Sequence, residues 1–184
     1  GQTHIKIVSN LPYNISTPVI INFLESKLPV VSMTLTLQRE ITDRLKAIPG
    51  TREYGILSII AQLFSDVKVV RTLPPEVFWP RPDVYSAIVR IIVNREKYAD
   101  RMPDYSTFRK VIWAIFTSRR KTLLNSLEYL GLHISRESLK KVVDDTHLDR
   151  RIRGEVLSIE QLLQLTENVH RLLEQTSNLN YIKT

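Results

Sequence analysis

Residues 4–18 read HIKIVSNLPYNISTP, and this stretch decides the fold expected for the first half of the chain. The run at 4–9 predicts a short buried strand. Thr17 followed by Pro18 predicts a helix start, with Thr17 as N-cap and Pro18 in the first helical position. Between them lies the tetrapeptide 10–13, Asn-Leu-Pro-Tyr. Such junctions face a cleft in open α/β sheets, so the tetrapeptide is either a working site or an ordinary turn.

Strand and helix patterns alternate up to residue 93, and the periodicity is purely helical from residue 94. The further strands predicted are 30–38, 66–73 and 85–93, and the helices predicted between them are 39–48 and 54–65. In the second half, Ser135 and the Ser158–Gln161 pair predict two helix starts. We therefore expect two domains: an α/β domain over 1–93 with only part of a doubly wound sheet, and an all-α domain over 94–184.

The composition narrows the functional classes. The chain has 184 residues, no cysteine and a net charge of +7, with a pI near 9.7. The absence of cysteine excludes disulfides, thiolate metal sites and cysteine nucleophiles, and is compatible with a reducing compartment such as the cytoplasm. No window is apolar enough for a membrane span, and the four histidines (4, 133, 147 and 170) lack ligand-like spacing, so we expect neither a membrane nor a metal. The basic charge favours a polyanionic partner.

The tetrapeptide has the groups needed to act on adenine N6. That nitrogen is a poor nucleophile because its lone pair is delocalised into the ring. An Asn side-chain oxygen and a backbone carbonyl could each accept one N6 hydrogen, while an aromatic ring stacks on the flipped base. Asn10, Pro12 and Tyr13 provide these groups, although the same residues also suit a plain turn.

A basic run, SRRKTL at 118–123, is the second candidate site. Arg119, Arg120 and Lys121 precede a predicted helix, where positive charge opposes the helix dipole unless an anion is bound. We therefore favour RNA phosphate as the partner of these cations over a merely solvated helix end.

Five segments, taken in order, resemble the ribosomal RNA adenine dimethyltransferases of the KsgA and Dim type. They are NLPYNISTPVI, QREITDRLKAIPGTREYGILSIIAQ, VFWPRPDVYSAIVRI, FRKVIWAIFTSRRKTLLNSL and RIRGEVLSIEQLLQL. The resemblance implies the C-terminal part of a Rossmann-like S-adenosylmethionine methyltransferase sheet, followed by a small helical RNA-binding domain. It also implies dimethylation of two adjacent adenines in a hairpin near the 3′ end of small-subunit ribosomal RNA, with the immature small subunit as partner. We further expect a monomer.

The resemblance assigns catalytic roles to residues 10–13 and to Phe78. Asn10 would orient N6 and touch the methionine part of the cofactor, Pro12 next to Leu11 would offer its carbonyl, and Tyr13 would stack on the base. Phe78 in FWPRP would close the other side of the base, although it also suits an ordinary core position. Trp79 falls at a position that the family motif leaves variable.

The chain departs from the family in its cofactor-binding elements. Its glycines stand at 1, 50, 55, 131 and 154, so no Gly-x-Gly turn can form, and we find no acidic residue for the ribose. We therefore expect an incomplete form that binds S-adenosylmethionine weakly and is inactive by itself. The alternatives are a non-enzymatic RNA-binding module in ribosome assembly and a large-subunit methylase of the antibiotic-resistance type.

Overall fold

The computed structural model describes residues 4–130 and 134–181, with side chains described to residue 176. His133 therefore lies outside the described residues. The chain divides into two compact units: residues 1–48 with 52–99, and residues 49–51 with 100–184. The division thus falls after residue 99, whereas the sequence pattern changes at residue 94.

The described residues of the first unit form four strands and three α-helices. In chain order these are β1 (Ile5–Asn10), α1 (Ser16–Glu25), β2 (Val30–Gln38), α2 (Arg39–Lys46), α3 (Ile56–Phe64), β3 (Ser65–Leu73) and β4 (Ser86–Val93). All four predicted strands and all three predicted helices are present, with bounds that differ by no more than a few residues. The β-branched and leucine-rich alternation of β2 buries Met33, Leu35 and Leu37, as expected for a strand covered by helices.

The sheet is mixed, and its strand order is β1-β2-β4-β3. β1 and β2 are parallel, whereas β4 runs antiparallel to both β2 and β3. The helix α1 joins the parallel pair, because parallel neighbours need a crossover connection. Between β3 and β4 the chain forms a short 3₁₀ turn, Pro75–Val77, and the proline-rich link predicted from the sequence.

Helix α1 begins at Ser16, so the prediction of Thr17 as its N-cap was wrong. Ile15 holds the cap position without a side-chain hydrogen bond. The helix starts earlier because the Pro12 carbonyl already accepts hydrogen bonds from the Ile15 N–H and the Ser16 hydroxyl, which close the first turn. Pro18 therefore lies inside the first turn, where its missing N–H still costs no helical hydrogen bond.

The second unit is helical. It contains α4 (Tyr105–Thr117), α5 (Leu123–Leu127), α6 (Arg136–Asp145) and α7 (Ile159–Tyr181). The predicted apolar face of α4 is confirmed, since Phe108, Ile112 and Ile115 are fully buried. Both predicted caps are also present. The Ser135 hydroxyl accepts a hydrogen bond from the Ser138 N–H, and Ser158 and Gln161 bond each other's backbone N–H.

Candidate active site

A cleft of about 430 Å³ in the first unit is lined by two stretches that are far apart in sequence. One is the tetrapeptide 10–13, which follows β1, and the other is 78–82, which lies between β3 and β4. The fold thus brings all five residues predicted to be catalytic to the wall of one cavity.

The sheet explains why this cleft forms. Asn10 is the last residue of β1 and pairs with Thr36 of the parallel strand β2. Because β4 is antiparallel to β2, its first residue, Ser86, pairs with Gln38 at the end of β2. The carboxyl ends of β1 and β2 and the beginning of β4 therefore share one edge of the sheet. This edge is where α/β proteins bind ligands.

Tyr13 is tied to this edge through its hydroxyl. The phenol oxygen lies 3.2 Å from Oγ of Ser86, which is fully buried, while Tyr13 itself is half-buried. The hydrogen bond satisfies the buried serine and holds the tyrosine ring from its far end. Sequence reasoning missed Ser86, because a single serine at the start of a strand carries no signal of its partner.

The backbone of the tetrapeptide places its acceptors differently from the prediction. The Pro12 carbonyl accepts from the Ser16 hydroxyl at 3.0 Å and from the Ile15 N–H at 3.2 Å. A carbonyl oxygen has two lone pairs, so both are engaged, and the acceptor role predicted for Pro12 does not fit this structure. The Leu11 carbonyl, one residue earlier, accepts no hydrogen bond from the described part of the chain.

Asn10 presents an unused carboxamide at the mouth of the cleft. The residue is exposed, and its side chain makes no hydrogen bond with any described residue. A carboxamide has one acceptor oxygen and an NH₂ donor, so both are available to a ligand. The oxygen of Asn10 and the carbonyl of Leu11 are therefore two adjacent free acceptors.

The second stretch adds aromatic and cationic groups to the cleft. Phe78 is half-buried, whereas Trp79 is 98% exposed. The peptide bond between Trp79 and Pro80 is cis. Arg81, which sequence reasoning missed, also lines the cleft and pairs with Glu76 at 2.5 Å. Both partners of this pair are exposed, so it is weak and leaves Arg81 available to an anion.

The predicted phosphate-binding cations lie in the second unit, in the turn between α4 and α5. Residues 119–121 follow the C-terminus of α4, where positive charge is favourable, and α5 has only five residues. The helix-dipole argument for a bound anion was therefore wrong. A cleft of about 440 Å³, lined by residues 116–121 and Tyr129, opens at this turn.

The three cations of the turn have different surroundings. Arg119 donates to Glu155 at 2.8 Å and to the Thr51 carbonyl at 3.3 Å. The ammonium group of Lys121 lies 4.5 Å from the centre of the Tyr129 ring and donates to its hydroxyl. Arg120 is exposed and has no partner among the described residues. It is therefore the member of the triplet most available to an external anion.

The segment at 152–156 holds this turn in place through a backbone hydrogen bond and an ion pair. The Leu123 N–H donates to the Ile152 carbonyl at 2.7 Å, and Glu155 holds Arg119. Gly154 packs so closely against Ile115 that a Cβ would lie 2.9 Å from its Cγ1 and even nearer its Cγ2 methyl carbon. This explains why the segment RIRGEV needs glycine at its centre.

Several of the other described cations of the second unit form surface ion pairs with nearby carboxylates. Arg150 donates to Asp144 at 2.7 Å, and this hydrogen bond lowers the pKa of the Asp144 carboxyl. Lys140 donates to Glu137 at 2.6 Å. Residues 4–130 and 134–181 contain no cluster of three side chains placed to hold a metal, and none of their helices could cross a membrane.

Comparison with known proteins identifies the family. The model of the family described as ribosomal RNA adenine dimethylase matches residues 2–165. The chain belongs to this dimethylase family. Ribosomal RNA small subunit methyltransferase A of Alkaliphilus oremlandii is 39% identical over 171 residues, which are 92% of this chain and 59% of that protein. Its namesake from Bacillus mycoides is 42% identical over 164 residues, covering 88% and 56%.

The chain thus spans less than two thirds of the length of these dimethylase relatives. Two solved structures share the fold. A dimethyladenosine transferase from Plasmodium falciparum superposes with a TM-score of 0.75 at 22% identity, covering 90% of this chain and 66% of that one. The 23S rRNA methyltransferase ErmE superposes with a TM-score of 0.60 at 20% identity, covering 91% and 66%. The fold is therefore the Rossmann-like α/β fold of such methyltransferases, followed by helices.

Proposed function

We propose that this chain carries the base-binding loop of an enzyme that dimethylates N6 of two adjacent adenines in small-subunit ribosomal RNA. The proposed target is a hairpin near the 3′ end of that RNA. The observation that carries the proposal is the shared cleft, because the residues with the two free acceptors line it together with the aromatic residues Tyr13 and Phe78. That is the set of groups needed to hold one flipped adenine.

The two acceptors would be the Asn10 side-chain oxygen and the Leu11 carbonyl. Each would take one N6 hydrogen, which draws the nitrogen lone pair out of conjugation with the ring. These hydrogen bonds strengthen as positive charge develops on N6, so they favour the transition state over the ground state. Leu11 replaces Pro12 in this role because the Pro12 carbonyl is occupied within the turn.

Tyr13 and Phe78 would hold the two faces of the flipped base. Tyr13 is already oriented by Ser86, so stacking on its ring requires little further ordering. Arg81, which lines the same cleft, would contact a phosphate next to the target nucleotide. Trp79 is so exposed that it cannot itself enclose the base.

The cofactor of this reaction would be S-adenosylmethionine, which supplies an electrophilic methyl group on its sulfonium sulfur. Asn10 fits a role in holding it, because its NH₂ donor is unused by the described residues and lies at the carboxyl edge of the sheet. The amide oxygen would remain directed at N6, so one side chain would align both reactants.

The basic turn would grip the RNA backbone outside the cleft. Arg120 would contact phosphate directly, while Lys121 would do so next to the Tyr129 ring. Arg119 would mainly position the turn, because Glu155 and the Thr51 carbonyl already bind it. We propose further that the protein acts as a monomer on the immature small subunit in the cytoplasm.

Two alternatives remain as outcomes of the test: a large-subunit methylase of the antibiotic-resistance type and a non-enzymatic RNA-binding module in ribosome assembly. The names of the relatives from Alkaliphilus and Bacillus favour the small subunit, whereas the likeness to ErmE extends to the fold alone. A non-enzymatic assembly module would need the basic turn but not the free acceptors of the cleft.

The experiment uses a full-length form of the protein, S-adenosylmethionine and two RNA hairpins, one from the small subunit and one from the large subunit. Mass spectrometry of the nucleosides should show N6,N6-dimethyladenosine in the small-subunit hairpin only. Methylation of the large-subunit hairpin alone would overturn the substrate assignment. Tight hairpin binding with no methylated product would favour the assembly module.

A further inference from the structure

The exposed side of α4 carries an aromatic side chain among cations, outside both clefts. Trp113 is 53% exposed, although most large apolar residues of this helix are buried. Neither a ring contact nor a cation–π contact engages it within the described residues. A half-exposed indole with no partner offers a flat apolar face to a ligand.

The charged residues of α4 itself are both basic. Arg109 and Lys110 lie one turn before it and are exposed, and Lys110 has no partner among the described residues. Helical side chains lean towards the N-terminus, so the indole lies over the turn that carries these two cations. Between Asp104 and Glu128 the sequence contains no acidic residue. The face is therefore complementary to a polyanion.

The same face leads into the basic turn. Phe116 and Thr117 lie one turn after Trp113 and line the cleft that contains Arg120. Lys110 thus lies one turn before Trp113 on α4, and Arg120 lies in the turn that follows the end of this helix. Cations that follow a backbone, with an aromatic ring between them, are typical of surfaces that bind single-stranded nucleic acid.

We propose that Trp113 is a stacking platform for an unpaired RNA base, and that Lys110 and Arg120 bind the phosphates on either side of it. The proposal rests on RNA being the substrate of the proposed function. It adds a base contact on the helical unit to the one proposed for the cleft of the first unit. The ligand that fits this face is an unpaired nucleotide next to the hairpin. A base that is paired and stacked within a helix would not expose its flat face to the indole.

Fluorescence can test the stacking directly, because the chain has only two tryptophans. In the Trp79→Phe variant, Trp113 is the sole indole. Single-stranded hexaadenylate should quench its emission saturably, whereas inorganic polyphosphate of matched charge should not, because it has no bases. Equal quenching by both polyanions would overturn the stacking. Unchanged emission at hexaadenylate concentrations where fluorescence anisotropy shows binding would also overturn the stacking. That is the result expected if Trp113 instead faces a protein partner.

Affinity for labelled hexaadenylate supplies the second measurement. Trp113→Ala should weaken binding by roughly fivefold to a hundredfold, while Trp113→Phe should retain most of it. Lys110→Ala should lower the salt slope by about 0.7, and Lys141→Ala, which removes an exposed and unpartnered lysine of α6, should leave it unchanged. Equal effects of the Lys110 and Lys141 changes would contradict the proposal. If hexaadenylate quenches Trp113 but the protein methylates no RNA, the stacking platform stands and the proposed enzyme function is wrong. If the protein methylates RNA but Trp113 is not quenched, the enzyme function stands and the platform is wrong.

Discussion

The tetrapeptide of the first unit and the basic triplet of the second are both runs of adjacent residues, but the fold uses the two runs differently. At 10–13, the turn leaves the Asn10 amide and the Leu11 carbonyl free, and both residues line one cleft. At 119–121, it engages Arg119 internally, places Lys121 on a tyrosine ring and leaves Arg120 exposed. The tetrapeptide therefore contributes two free acceptors to one cleft, whereas the three cations of the triplet do not act alike.

The largest expected effect tests the free acceptors of the first region. In a full-length form, Asn10→Ala should lower the single-turnover methylation rate by about a hundredfold or more, as for loss of a transition-state hydrogen-bond partner. Hairpin affinity and melting temperature should change little, because Asn10 is exposed and unbonded. Asn14→Ala is the matched control, since Asn14 is also exposed and unbonded in the same turn. If the Asn10→Ala protein is folded and methylates at the parental rate, Asn10 has no catalytic role.

The next effect separates the ring of Tyr13 from its hydroxyl. Tyr13→Ala should cost about 1–3 kcal/mol of base stacking, seen as a fall in kcat/KM. Tyr13→Phe should keep the stacking but leave the buried Ser86 hydroxyl unsatisfied, which lowers the free energy of unfolding by about 1–3 kcal/mol. Adding Ser86→Ala to Tyr13→Phe should recover part of that stability. Additive losses in this double-mutant cycle would show that the hydrogen bond does not hold the ring.

The sequence was sufficient for the elements whose patterns are long and regular. Strand β2 agrees with its predicted bounds, because nine residues of alternation leave one register. The caps Ser135 and Ser158 also depend on local spacing alone. The occupied Pro12 carbonyl and the support of Tyr13 by Ser86 could not be predicted, since each depends on how the turn folds or on a partner in another strand.

A smaller effect concerns the helix that leads to the basic turn. The Asp104 carboxylate caps α4 by accepting from the Thr107 hydroxyl and N–H, and these hydrogen bonds hold its pKa below the ordinary value. Asp104→Ala should therefore lower the free energy of unfolding by about 1 kcal/mol at pH 7. Because the folded-state pKa is lowered, the carboxylate stabilises the fold above the unfolded pKa, near 4, and this contribution is lost as pH falls through the folded pKa.

Chemical denaturation at pH 7 and near pH 3 checks this assignment. Asp104→Asn keeps a capping acceptor but does not titrate, so its stability should fall less over that range than that of the parent. Ser135→Ala on α6 is the control, because the hydroxyl cap that it removes does not titrate. It should lower stability equally at both pH values. If the Asp104→Asn protein shows the parental pH dependence, protonation of Asp104 is not the cause of the stability lost at low pH.

The smallest expected effect divides the basic triplet itself. Arg120→Ala should reduce the slope of log affinity against log salt for the small-subunit hairpin by about 0.9, the value for one phosphate contact on a duplex, with no change in melting temperature. Arg119→Ala should lower the melting temperature instead, because it breaks the pair with Glu155 and the bond to the Thr51 carbonyl. Its salt slope should change less than that of Arg120→Ala. Replacing all three cations should flatten the slope by roughly two units, short of three because Arg119 is internally bound. Equal slopes for the two single variants would show that the ion pair with Glu155 opens when RNA binds, and that the triplet acts as one site after all.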